Sequence, residues 1–152
     1  MTHLEARRRF PVSVERGFDY ITDLQNWPAY WPGLERVDPS SEWGSPGDRA
    51  RLTIRLLGRE VDLELTLQRF ERCRLVEYTS VQPGLPDARH ARLFTAATDG
   101  FDYGIVVDYE PRPGLRGLLD RTLLRRGISR AMEQTLRNLE RELPAGGDEP
   151  RD

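Results

Sequence analysis

Residues 101–143, FDYGIVVDYEPRPGLRGLLDRTLLRRGISRAMEQTLRNLEREL, change their apolar period once, and that change sets the expected architecture. In the first part Phe101, Tyr103, Ile105, Val107 and Tyr109 fall at every second position, which puts them on one face of a strand. EPRPG, 110–114, then breaks the sheet, because proline has no N–H to give to a ladder. From Leu115 to about Leu143 the repeat is helical: Leu118, Leu119, Thr122, Leu123, Ile128, Met132, Thr135, Leu136, Leu139 and Leu143 make one apolar stripe. Gly127, beside Arg125 and Arg126, is a point where that helix can bend. A sheet with one apolar face must cover it, and this helix carries the only matching stripe.

Upstream, strand signals dominate. Asp99-Gly100 is a hairpin turn. Before it, HARLFTAAT (90–98) reads as a strand with two open readings: Phe94 shares a face with His90 and Arg92, whereas Leu93 shares one with Ala91 and Thr95. Leu75 to Val81 is another strand, followed by a PGLPD loop. EVDLELTLQRF (60–70) has the cleanest alternation in the chain, with Val61, Leu63, Leu65 and Leu67 on one face. Gly58-Arg59 joins it as a hairpin to DRARLTIRLLG (48–58), where Ala50, Leu52, Ile54 and Leu56 alternate. HLEARRRFPV (3–12) alternates loosely, with Arg8 among Leu4, Ala6 and Phe10, and Pro11 ends it. SVERGFDYITD (13–23) reads as a helix capped by Ser13, with Val14, Phe18 and Ile21 on one side. Gly17 weakens that reading by about 1 kcal/mol relative to Ala.

DLQNWPAYWPG (23–33) stands apart. It holds two of the three Trp on a backbone that Pro28 and Pro32 stiffen. At best it is one short helical turn with a sharp exit at Pro32-Gly33.

Composition narrows the function classes. A chain of 152 residues makes one domain that needs no disulfide or metal to fold. Its single cysteine, Cys73, cannot form an internal bridge, in keeping with a reducing compartment. No apolar run is long enough to span a membrane, and MTHLEARRRF has no apolar segment of a signal peptide, so a cytoplasmic location is expected. The net charge of −2 gives no field for nucleic acid. All 23 basic residues are Arg, which reads as coding bias before it reads as a phosphate site. Two His and one Cys do not make a metal cluster, and there is no phosphate loop or nucleophile elbow, so neither a metal nor another cofactor is expected.

These elements predict an α+β helix-grip fold: a curved antiparallel sheet of six to seven strands around a long C-terminal helix, with two short helices after the first strand. A curled sheet touches a straight helix incompletely, and the gap is a cavity that the aromatic segment would rim. FDYITDLQNWPAYWPGLERV (18–37) resembles the N-terminal signature of the START-like (SRPBCC) superfamily, in particular its polyketide cyclase/dehydrase and coenzyme Q-binding group. Phe18, Ile21, Asp23, Trp27, Pro28, Trp31, Pro32 and Gly33 stand at that signature's positions. Residues 106–143 are similar to the family's last strand and long helix, although Asp99-Gly100-Phe101 replaces its usual Gly-Thr turn. The resemblance covers roughly 3–143 and implies a bacterial ligand-binding domain over 1–143, with a disordered tail over 144–152.

The leading expectation is a binding module for a small hydrophobic or aromatic molecule: a lipid, a quinone or a polyketide-like compound. Its pocket would be lined by Trp31, Leu52, Ile54, Leu63, Leu65, Tyr78, Phe94, Tyr103, Ile105, Leu119, Leu123 and Met132. Burying on the order of 300 Å² of apolar ligand surface gives roughly 7 kcal/mol before association costs. The alternative is an aromatase/cyclase or dehydratase, in which Tyr, His and Arg groups orient a polyketone and move protons, as the resemblance implies. Tyr78, His90 and Tyr103 are its candidate catalytic residues. It requires at least two polar side chains converging in the cavity. Each candidate has a plainer role: Tyr78 and Tyr103 as core residues, His90 as a solvent-facing strand start. Arg92 is expected on the outer face with Arg89. A third reading hands a quinone or lipid to a partner through an open apolar mouth at Trp31, a surface that a homodimer could also use.

Overall fold

The computed structural model describes residues 1–56, 58–111 and 115–146, without the side chains of 115–120. Strand β1 (Thr2–Phe10) is followed by helix α1 (Val14–Thr22), a single 3-10 turn (Leu24–Asn26) and a one-turn helix α2 (Trp27–Tyr30). Then come β2 (Leu34–Val37), β3 (Arg49–Leu56), β4 (Arg59–Glu71), β5 (Leu75–Val81), β6 (Ala88–Ala97), β7 (Gly100–Tyr109) and the long helix α3 (Leu115–Glu142). The strands form one antiparallel sheet in the order β1-β7-β6-β5-β4-β3-β2. Every neighbouring pair from β2 to β7 is consecutive in sequence. Only β1 is displaced, pairing with β7, so α1 and α2 carry the chain from one edge of the sheet to the other.

This is the helix-grip arrangement that the change of period predicts. β2 is the element the alternation did not define. It has four residues, and its register against β3 slips between Leu34 and Arg36, too short and irregular for a period to appear. Gly33, at φ 74°, turns the chain into it, and a Cβ there would stand 2.5 Å from the Arg55 carbonyl oxygen. Leu119 falls among the side chains not described, and residues 147–152 of the expected tail lie outside the described residues.

Local chemistry explains the start of the fold. Ser13 Oγ accepts from the Arg16 N–H and caps α1. Gly17 lies mid-helix because α1 rests directly on Phe101: a Cβ at position 17 would come within 2.3 Å of that ring. The residue that weakened the helix as a sequence is therefore what lets it dock.

Helix α3 crosses the inner face of the sheet unevenly. In its second half Met132, Leu136 and Leu139, with Leu143 just beyond its end, are buried. In its first half Leu124 and Ile128 are half-buried and Leu123 is 57% exposed. Polar ties help hold the second half down. Arg8, on the inward parity of β1, reaches Glu133 at 3.3 Å and Glu140 at 3.1 Å. Asn138 Nδ2 donates to the Tyr30 carbonyl at 3.0 Å, which fixes α2 to α3. The first half of α3 stands off the sheet, and the space beneath it is a cavity.

Candidate functional site

The cavity measures about 200 Å³. The sheet supplies its floor, the stretch of α3 from Leu123 to Thr135 its roof, and the aromatic segment one wall. All three Trp line it. Trp27 is buried, donates from Nε1 to the Ile21 carbonyl at 2.9 Å and packs 5.4 Å from Trp31 and 5.3 Å from Trp43. Tyr30 donates to the same Ile21 carbonyl at 2.6 Å. These two bonds satisfy a buried carbonyl left without a helical partner at the end of α1 and lock the ring positions. Trp43 continues the aromatic wall edge-on to Tyr78 at 5.3 Å. It comes from the irregular segment before β3, where no periodicity could have revealed it.

The open question about β6 is answered by its register. His90 pairs with Val107, Arg92 with Ile105 and Phe94 with Tyr103, all inward on β7. His90, Arg92 and Phe94 therefore face inward together. Arg92 is not on the outer face with Arg89, as expected, but inside. Neighbouring strands on both sides hold it there, because turning it out would also turn Phe94 out of the core.

Four polar side chains, Tyr78, Ser80, His90 and Arg92, converge on the floor. The Tyr78 ring stacks on the His90 imidazole at 4.5 Å with 6° between planes. Arg92 Nη2 donates to the Tyr78 hydroxyl at 2.8 Å. His90 Nε2 and Ser80 Oγ are 2.8 Å apart, while His90 Nδ1 is buried without a partner. Burial first, and the Arg92 charge second, pull the His90 imidazole down from about 6.5 to about 3. His90 is therefore neutral at ordinary pH. Burial pushes the Tyr78 phenol up, against the opposing pull of Arg92. Burial likewise raises Tyr103.

Of the residues expected to line a pocket, Trp31, Ile54, Leu63, Leu65, Tyr78, Phe94, Ile105, Leu123 and Met132 surround the cavity. Leu52 and Tyr103 do not. Leu52, opposite Leu63 on β4, is buried in the core. Tyr103 sits deeper along β7, between Phe10 at 6.2 Å and Phe94 at 5.2 Å, as packing. Tyr78 and His90 are brought together, and Tyr103 is not brought to them as a third wall residue. Alternation left Arg92 open between two faces and missed Ser80 and Trp43. The shared parity of Ser80 with Tyr78 was the available signal for Ser80.

Among the described residues no group of His, Cys, Asp and Glu could hold a metal ion, and no helix is long and apolar enough to cross a membrane. Solved structures with the same fold include the Thermus thermophilus protein TTHA0849, at TM-score 0.79 and 18% identity, over 93% of this chain and 97% of that one. The Zhui aromatase/cyclase of a Streptomyces species aligns at TM-score 0.78 and 14% identity, over 96% and 98%. A START superfamily protein of Mycobacterium smegmatis aligns at TM-score 0.75 and 13% identity, over 93% and 96%. Curated protein sequences gave no match. The family model for polyketide cyclase/dehydrase and lipid transport proteins matches residues 1–144, and the chain belongs to that family.

Proposed function

We propose that the protein binds a small apolar or aromatic molecule in the cavity between the sheet and α3. The observation that carries this reading is a mainly apolar space of about 200 Å³ between sheet and helix, with a few polar groups on its floor. That is the usual make-up of a small-molecule site. Lipid, quinone and polyketide-like compounds are the candidate classes, and the family description names both lipid transport and polyketide chemistry. The half-exposed Leu123, with Leu85 and Pro86 of the β5–β6 loop, makes an apolar mouth suited to such a guest. A cytoplasmic setting fits this reading.

The convergence of Tyr78, His90 and Arg92 supports a second reading, aromatase/cyclase or dehydratase chemistry, for which the Zhui aromatase/cyclase is a structural precedent. Proton transfer works best with a pKa near the working pH. His90 near 3 and Tyr78 raised by burial are both far from it, which favours binding over turnover. Native mass spectrometry of protein purified from its own host, followed by extraction, should reveal a bound apolar molecule. Turnover of a model polyketone that falls by a factor of roughly a hundred or more in Tyr78→Phe and His90→Ala would replace this conclusion with the enzymatic one.

A further inference from the structure

Arg92 is a half-buried cation on a cavity floor, and no anionic side chain lines that cavity among the described residues. Its guanidinium uses one N–H on the Tyr78 hydroxyl and another, at 3.4 Å, on the Ala91 carbonyl. It makes no ion pair among the described residues, and no Asp or Glu lines the cavity among them. A guanidinium has five N–H donors and stays charged, so donors are left over at the cavity wall. The Tyr78 hydroxyl accepts from Arg92 and retains its own proton for donation. Arg92 is half-buried, and a charge withdrawn from water without a counter-charge is costly, so an anion in the cavity would stabilise it.

We propose that the guest is an apolar or aromatic carboxylic acid, its carboxylate bound by the remaining N–H groups of Arg92 and by the Tyr78 hydroxyl. This rests on the cavity-binding reading above and adds the headgroup. A neutral ketone or quinone oxygen would accept the same bonds but leave the charge uncompensated. A doubly charged phosphate would exceed it, because Arg92 is the only cationic side chain lining the cavity among the described residues. A carboxylate matches both the single charge and the planar fork. The apolar body of the acid would lie against Trp31, Trp43 and Met132.

The test is titration calorimetry of the full chain at neutral pH with naphthoic acid, methyl naphthoate and methylnaphthalene, with tryptophan fluorescence as a second readout. The acid is expected to bind roughly ten- to a hundredfold more tightly than the ester, the range for hydrogen bonds to a charged group. Arg92→Gln should bring the acid to within about threefold of the ester, and Arg92→Lys should retain part of the preference, since it keeps the charge without the fork. The wild-type comparison of acid with ester needs no variant to fold. Ester and hydrocarbon binding as tightly as the acid would overturn the carboxylate assignment and leave cavity binding standing. Failure of all three to bind would overturn both. An acid preference that survives unchanged in a folded Arg92→Gln protein would also overturn the assignment.

Discussion

At one end of the interior Phe10, Phe18, Phe70, Phe94, Phe101 and Tyr103 stack or meet edge-on, with centroid separations of 4.8–6.2 Å, in a core that also holds Leu136, Leu139 and Leu143. At the other end Trp31, Trp43, Tyr78, His90 and Arg92 face a void. Both ends are rich in aromatic rings, but the rings do different work. At the solid end they touch one another, so dispersion and burial stabilise the fold directly. At the hollow end their edges and amphipathic tips wall a space, and the second half of α3 provides the anchorage that lets its first half stand away from the sheet. One helix thus serves as core along one stretch and as roof along the next.

The sharpest way to break this comparison is to empty one site at each end. Phe101→Ala, at the solid end, should cost about 3–5 kcal/mol in urea unfolding, because its surroundings cannot collapse into the space left. Leu123→Ala, over the cavity mouth, should stay within about 0.5 kcal/mol in the same assay. Equal losses would mean that the two ends are packed alike. Next in size is the pH dependence of the hollow end. The folded-state pKa of His90 lies near 3, below the ordinary 6.5. Its contribution to stability is therefore complete above pH 6.5 and is lost as pH falls from 6.5 toward 3, where the unfolded chain binds a proton that the folded one does not. The total over that window is a few kcal/mol. His90→Gln should flatten the stability profile between those limits, and an unchanged slope would show that the imidazole has access to solvent.

Two smaller effects sharpen the boundary between the ends. Gly17→Ala should destabilise by about 1–3 kcal/mol despite raising helix propensity, since the added methyl meets the Phe101 ring. A gain in melting temperature would place α1 farther from the sheet. Asn138→Ala, which leaves the buried Tyr30 carbonyl without its donor, should cost about 1–3 kcal/mol. It should also shift the tryptophan emission, because α2 carries Trp27 beside the cavity. Loss of stability with no spectral shift would separate the anchor from the wall.

Much of the fold was legible because the periods of strand and helix are local. β4, β5, β7 and α3 announce themselves in residues a few positions apart, and the hairpin turns at Gly58 and Gly100 punctuate them. β2 was illegible because four residues cannot display a period. Within the site, Tyr78 and the apolar lining followed from alternation, whereas Leu52 and Tyr103 share the inward face of their strands and yet lie away from the cavity. Alternation reports which face a side chain takes, not how far along the sheet the void extends.

The sequence by itself determined the kind and order of the longer elements, the helix that must cover the sheet, and the aromatic segment held on stiff backbone. Only the tertiary structure decided which face of β6 turns inward, because HARLFTAAT offers apolar residues on both faces. Pairing with β5 and β7 chose the face that buries Phe94, and Arg92 came in with it. An isolated strand has no preference that would place a guanidinium indoors. The register of two neighbours imposes it, and with it the charge that gives the cavity its chemistry.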